Sequence, residues 1–241
     1  MVQDQGGKGI SRRKMMLLAG AGALTACVGS GVLFPGAAAA KSSAPTISPD
    51  TALKLLLEGN QRYVEGKLIN ADRSPADIRR LAKGQNPFAV VLGCSDSRVP
   101  PEIVFDQGLG DLFTVRVAGN FVEAGGLASI DYAVEHLGSP LVVVLGHRRC
   151  GAVTAVVDAI RAGKALPDDL SKFSEAIAPA IEPVKNRLGD MVDNGVRANI
   201  QYVTNQLKAS QPVLAEFVRQ GMVKVVGAYY NLDTGEVQFI V

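Results

Sequence analysis

Three residues of this sequence carry the donor atoms of a soft-metal site: Cys94, His147 and Cys150. Two thiolates and one imidazole suit a tetrahedral Zn2+ with its fourth position free. Three protein ligands are the pattern of a catalytic zinc, whereas structural zinc closes with four. The H-x-x-C spacing alone says little, since cysteines are commonly small buried hydrophobes. The conjunction says more. One of only two histidines stands three residues before Cys150, and Cys94 and His147 each follow an apolar run. A single Cys94–Cys150 disulfide is the plainer alternative, which export would permit, but each cysteine sits among residues with a better use for a thiolate. Asp96, two residues beyond Cys94, is placed to accept a hydrogen bond from water on the ion or to bind the ion itself. Arg98 either holds that carboxylate off the metal through a bidentate pair or forms an ordinary turn salt bridge. His136, the other histidine, falls on a helical face and is not read as a ligand.

These residues need rigid elements behind them. One apolar run, AVVLG, leads into Cys94-Ser95-Asp96-Ser97-Arg98, and another, LVVVLG, into His147-Arg148-Arg149-Cys150-Gly151. The continuous runs Phe88–Leu92, Phe113–Val117 and Leu141–Leu145 read as strands buried on both faces. Helical spacing is expected over Ala128–Leu137 and Ala152–Ala162 and through residues 170–220. Alternation of this kind predicts an α/β fold: a mostly parallel sheet flanked by helices, with ligands outside the carboxyl ends of the strands. Val223–Tyr230 and Glu236–Val241 read as a C-terminal antiparallel pair around Asp233-Thr234-Gly235. Ser48-Pro49-Asp50 is a helix start. Leu53, Leu56, Leu57, Asn60 and Val64 then follow at helical spacing, giving an N-terminal helical arm over residues 49–65. A second short helix is expected from Ser74-Pro75 to near Gly84.

Length and charge bound the rest. The chain has 241 residues, 47% of them hydrophobic, enough for one sizeable domain. Of 25 basic and 23 acidic residues, the first 40 positions hold four and one, leaving 21 against 22. A body so nearly neutral offers no electrostatic footprint for nucleic acid. Residues 1–40 read as an export signal: a basic start, an apolar run from Met15, and Ala37-Ala38-Ala39-Ala40 before Lys41. Ser11-Arg12-Arg13-Lys14-Met15-Met16 resembles a twin-arginine signal. An ordinary secretory signal is the alternative, and Leu24-Thr25-Ala26-Cys27 resembles a lipobox that would anchor the chain to a membrane at Cys27. The expected organisation is a signal peptide over 1–40, a linker over 41–48 and a catalytic domain over 49–241, exported to the periplasm or the cell exterior.

CSDSRV at Cys94–Val99 and HRRCG at His147–Gly151 together resemble the paired motifs of β-class carbonic anhydrases. The resemblance extends through KGQNPF at Lys83–Phe88, GDLFTVRVAGN at Gly110–Asn120, GGLASIDYAVEHL at Gly125–Leu137 and GAYYNLDTGEVQF at Gly227–Phe239. It implies reversible hydration of CO2 to bicarbonate and a proton, with one Zn2+ per subunit on Cys94, His147 and Cys150, and Asp96 and Arg98 as the catalytic dyad. It also implies that Gln85, Phe113 and Tyr132 line the substrate pocket, reaching it across a dimer interface as in the plant-type subgroup. The implied fold is a four-stranded parallel core with an added antiparallel strand. The implied assembly is a homodimer or a multiple of dimers, with the N-terminal helices packed on the partner. Arg148 and Arg149 depart from the smaller or polar residues of many members. Hydrolysis of CS2 or COS on the same fold, and a non-catalytic protein that binds zinc or bicarbonate, are the alternatives. Changing Arg12 and Arg13 together to Lys should leave unexported precursor inside the cell, read by immunoblot of cell fractions. Mass spectrometry of the exported protein should find Lys41 at the N-terminus rather than a lipidated Cys27.

Overall fold

The apolar runs assemble into one five-stranded sheet in a computed structural model that describes residues 47–240. The expected export segment, Cys27 and most of the linker lie outside the described residues. In chain order the elements are α1 (Pro49–Val64), α2 (Pro75–Leu81), β1 (Ala89–Gly93), α3 (Pro101–Val104), β2 (Leu112–Arg116), α4 (Ala124–Glu135), β3 (Leu141–His147), α5 (Gly151–Ala162), α6 (Ser171–Ile181), α7 (Met191–Lys208), α8 (Leu214–Arg219), β4 (Lys224–Tyr230) and β5 (Val237–Phe239). The spatial order is β2-β1-β3-β4-β5; the first four strands are parallel and β5 is antiparallel to β4. This is the expected α/β architecture, including its C-terminal strand pair.

Because side chains alternate across a strand, the central runs supply two cores at once. Val90, Leu92, Val142 and Val144 face the layer formed by α4 to α8, where they meet Ile130, Val156, Ile177, Ile200 and Leu214. Val91, Val143 and Leu145 face the opposite layer, formed by α1 and α3, and meet Leu56, Val104 and Phe105. That double burial explains the unbroken apolar runs of β1 and β3; the run in β2 departs from the expectation, because β2 is the edge strand and only its first residue, Leu112, is buried. Among the described residues no helix is long and apolar enough to cross a membrane.

Several boundaries differ from the pattern-based reading. Helix α4 begins at Ala124, ahead of the expected Ala128, because Gly125 and Gly126 occupy its first turn and poor helix formers hide the start. The four-residue α3 is too short to show a period. Residues 170–220 divide into α6, α7 and α8 rather than running on. In α1 the buried edge is Ala52, Leu56, Gly59 and Asn60, while Leu57 and Val64 are exposed. A Cβ at Gly59 would overlap the carbonyl oxygen of Phe105, so glycine is what lets α1 approach α3. Asn60 is the polar position of that edge. Its Nδ2 donates to the carbonyls of Val104 (3.0 Å) and Gly235 (2.9 Å), and its Oδ1 accepts from the Val237 amide (2.8 Å). One amide thus joins α1, α3 and the β4–β5 turn.

Asp106, just after α3, fastens the arm a second time. Its fully buried carboxylate accepts from Arg62 Nε at 2.7 Å and from the amides of Ile69 and Asn70 at 3.0–3.2 Å. Burial pushes this carboxyl up, but the Ile69 amide, Arg62 and the Asn70 amide together outweigh it and leave the net shift downward. Its stabilising effect is therefore complete above the unfolded-state value of about 4 and is lost as pH falls through the lower folded value. Asp106→Asn should cost about 3 kcal/mol at pH 7, since an amide nitrogen would face those donors. In urea titrations the gap between wild type and variant should close as pH drops below about 4.

Candidate metal centre

Parallel pairing of β1 with β3 does most of the positioning. Gly93 lies opposite Leu145, so Cys94 follows beside Gly146 and His147 lies one step beyond. Cys150 then caps the N-terminus of α5. The donor atoms of Cys94, His147 and Cys150 all lie within 4.8 Å of one another, and all three residues are buried. The two Sγ atoms are 3.9 Å apart. A disulfide needs about 2.05 Å, so the disulfide alternative is corrected: both are free cysteines. Tetrahedral bonds of about 2.3 Å from one zinc would hold two sulfurs about 3.8 Å apart, which matches the observed separation.

The imidazole is prepared for the same task. His147 Nδ1 lies 3.0 Å from the Arg148 carbonyl oxygen. A carbonyl only accepts, so Nδ1 carries the proton and Nε2 presents a lone pair. That Nε2 is buried and has no hydrogen-bond partner among the described residues. The two thiols shift each other in opposite directions. The Cys150 thiol beside it pulls the Cys94 thiol down against its burial, helped by the Gly119 amide, which donates at 3.3 Å. The Cys150 thiol is pushed up by that same contact and by burial, while the Val153 and Ala152 amides at the start of α5 pull it down. A divalent cation held by Cys94, His147 and Cys150 would take both sulfurs as thiolates, releasing their protons. An orphaned imidazole lone pair, matched sulfur spacing and a soft donor set therefore fit zinc.

Asp96 borders the site. Its Oδ2 is 3.9 Å from His147 Nε2. Arg98 grips the carboxylate with Nε on Oδ1 (2.9 Å), Nη2 on Oδ2 (2.7 Å) and its own amide on Oδ1 (3.0 Å). These bonds, the guanidinium's first, hold the Asp96 carboxyl well below the usual carboxylate range. Asp96 is accordingly an anion that can only accept. Arg116, at the carboxyl end of β2, donates to the carbonyls of Cys94 (3.1 Å) and Asp96 (2.7 Å) and so fixes the loop between them. Pattern reading passed over Arg116 and Gly119. The available signals were a lone cation closing an apolar strand and a glycine where the chain must turn.

Not every candidate converges. Phe113 sits at the amino half of β2, opposite Val90 and three residues before Arg116. That is about 10 Å from the strand ends at 3.3 Å per residue. Its ring packs 6.4 Å from that of Tyr132, which is 47% exposed on α4. Gln85 is exposed in the loop before β1. None of the three belongs to the metal-donor group of this chain. His136 lies at the exposed end of α4, 5.3 Å from Tyr132, and is likewise no member of it. Arg148 and Arg149 turn outward to Asp233 on the β4–β5 turn, at 2.5–3.0 Å.

Residues 89–237 match the family model described as carbonic anhydrase. Carbonic anhydrase 2 of Mycobacterium tuberculosis is 40% identical over 191 residues, covering 79% of this chain and 92% of the relative. The carbonic anhydrase of Mycolicibacterium smegmatis is 37% identical over 194 residues, covering 80% and 94%. Among solved structures, the β-carbonic anhydrase CcaA is similar with a TM-score of 0.63 and 26% identity, over 78% of this chain and 87% of that one. Tetrameric β-carbonic anhydrases from Sordaria macrospora share the fold, with a TM-score of 0.63 and 23% identity over 79% and 97%.

Purified protein should hold about one zinc per chain by elemental analysis. Serine is a good helix cap, so Cys150→Ser should leave α5 intact while losing most of the metal. Full zinc retention in that variant would contradict the assignment of the donors.

Proposed function

The chain belongs to the β class of the carbonic anhydrase family, and from that premise we propose that its reversible hydration of CO2 is zinc-dependent and takes place at the carboxyl ends of β1 and β3. The observation that carries this reading is the convergence of Cys94, His147 and Cys150, with matched sulfur spacing and an unpartnered imidazole nitrogen. These three residues hold the ion. When bound it supplies Lewis acidity that makes water a nucleophile near neutral pH, less readily than three imidazoles would because two thiolates cancel the ionic charge.

The remaining steps belong to the chain. Asp96 accepts a hydrogen bond from the attacking water and orients its lone pair toward CO2. Arg98 keeps that carboxylate ionised and held aside by its bidentate grip, so that Asp96 would serve the attacking water rather than bind the ion itself. Addition of water to the carbon of CO2 yields bicarbonate, and the released proton passes to buffer. Gln85 donates to a substrate oxygen, while Phe113 and Tyr132 form the apolar wall. The place of Phe113 at the amino half of β2, away from the strand ends that carry the donors, supports a pocket completed by a second copy, in a homodimer or a multiple of it. Leu57, Val64, Ile69 and Ile78, all exposed apolar residues on or near the N-terminal helices, supply surface for such pairing. Arg12 and Arg13 direct export of the folded, zinc-loaded domain, a route that suits cysteines kept as thiolates.

Arg98→Ala should release Asp96 to close the metal's fourth position. CO2 hydration should then fall about 10- to 100-fold, with zinc content near wild type. Stopped-flow hydration with zinc measured on the same samples checks this. The wild-type rate should rise on the alkaline side of neutrality, and a rate flat from about pH 6 to 9 would contradict the mechanism.

A further inference from the structure

The structure assigns a positioning role to Asn199 of α7, which acts on the metal centre through Gly119 and Cys94. The inference rests on the zinc reading of that centre and extends it to a helix that holds no metal donor.

Helix α7 lays a buried stripe against β3 and β4: Val196, Asn199, Ile200, Val203, Thr204 and Leu207. Asn199 is 1% exposed and is polar in the middle of that stripe. Its Nδ2 donates to the Gly119 carbonyl oxygen at 2.8 Å. The amide of the same glycine donates to Cys94 Sγ at 3.3 Å. Gly119 is therefore held at both ends, one by the helix and one by the sulfur.

The glycine requires this support. Its φ is +85°, a conformation that side chains rarely adopt, and an added Cβ would press on Ile177 and Ala152. With no side chain it has no packing of its own to fix it. The sheet side of its turn is tied by Val117, whose amide donates to Gly93 (3.1 Å) and whose carbonyl accepts from Ser95 (3.3 Å). Asn199 ties the helix side. The direction of the N–H toward Cys94, and with it the stabilisation of negative charge on that sulfur, depends on both anchors.

Two further observations separate this from incidental core polarity. Asn199 Oδ1 has no hydrogen-bond partner among the described residues, so a buried amide is kept although only half of it is satisfied, at a cost an apolar residue would avoid. The neighbouring α7 residues also reach the other two donor segments. Ile200 presses on Gly146, immediately before His147, where a Cβ would lie 2.6 Å from it; Gly195 lies where a Cβ would meet Val153, three residues after Cys150. One helix thus braces all three donor-bearing segments, and Asn199 is its hydrogen-bonded contact.

The test compares Asn199→Leu, close in shape but without the donor, with Asn199→Ser, which is too short to reach Gly119. Thr204→Val on the same stripe serves as control. Zinc affinity is measured by chelator competition on full-length protein, and the sulfur-to-metal charge-transfer band is read in the Co2+-loaded forms. Both Asn199 variants should bind zinc about tenfold more weakly with a shifted band, while Thr204→Val matches wild type. Coupling is reciprocal, so zinc loading of wild type should slow amide exchange in residues 196–203 as well as 117–120. That measurement decides the matter if the variants do not fold. Wild-type affinity in folded Asn199→Leu, or exchange in residues 196–203 indifferent to zinc, overturns the proposal and leaves the zinc reading standing. A wild-type protein that binds no zinc removes both.

Discussion

The imidazole of His147 is buried with one nitrogen committed to a backbone carbonyl and the other left without a partner among the described residues. A buried polar atom in that condition costs about 1–3 kcal/mol, so the surrounding fold must hold it there. Parallel pairing of β1 and β3 does so by placing Cys94 and His147 on adjacent strand ends, where neither side chain can retreat to water. The lone pair and the two thiols then face one small volume. A soft divalent cation would relieve all three at once.

Everything near this point is arranged to keep the sheet ends rigid without crowding them. Glycine at position 146 lets α7 lie close against β3, while the Cys150 cap directs the start of α5 at the same volume. Arg116 spans from β2 to the carbonyls of Cys94 and Asp96, locking a loop with no regular structure of its own. On the opposite layer Asn60 and Asp106 fasten α1 with buried hydrogen bonds, which fix geometry more sharply than apolar packing does.

Charge around the site is segregated by depth. The Asp96–Arg98 pair is at the rim, with the carboxylate mostly covered and the guanidinium mostly in solvent. Arg148 and Arg149 leave from the segment between His147 and Cys150, yet Asp233 draws both outward. Those exposed pairs contribute little stability. Their effect is to turn two cations away from the donor atoms of Cys94, His147 and Cys150.

Much of this was legible in the sequence. The unbroken runs of β1 and β3 announce parallel strands covered on both faces, whereas the run of β2 lies at the sheet edge and is only partly buried. The donor types at the ends of the two unbroken runs point to a soft-metal site, and with the flanking motifs to the family. What the sequence left open depends on contacts between distant segments. Leu57 and Asn60 share a helical period, yet only packing on α3 and the β4–β5 turn buries the asparagine and exposes the leucine. The flanking motifs favour ligands over a disulfide for the thiol pair, but only the fold, setting the sulfurs 3.9 Å apart, excludes the disulfide. Arg116, Gly119 and Asn199 carry no motif of their own. Their places at the metal centre follow from the strand register and the seating of α7, quantities that exist only once the chain has closed on itself.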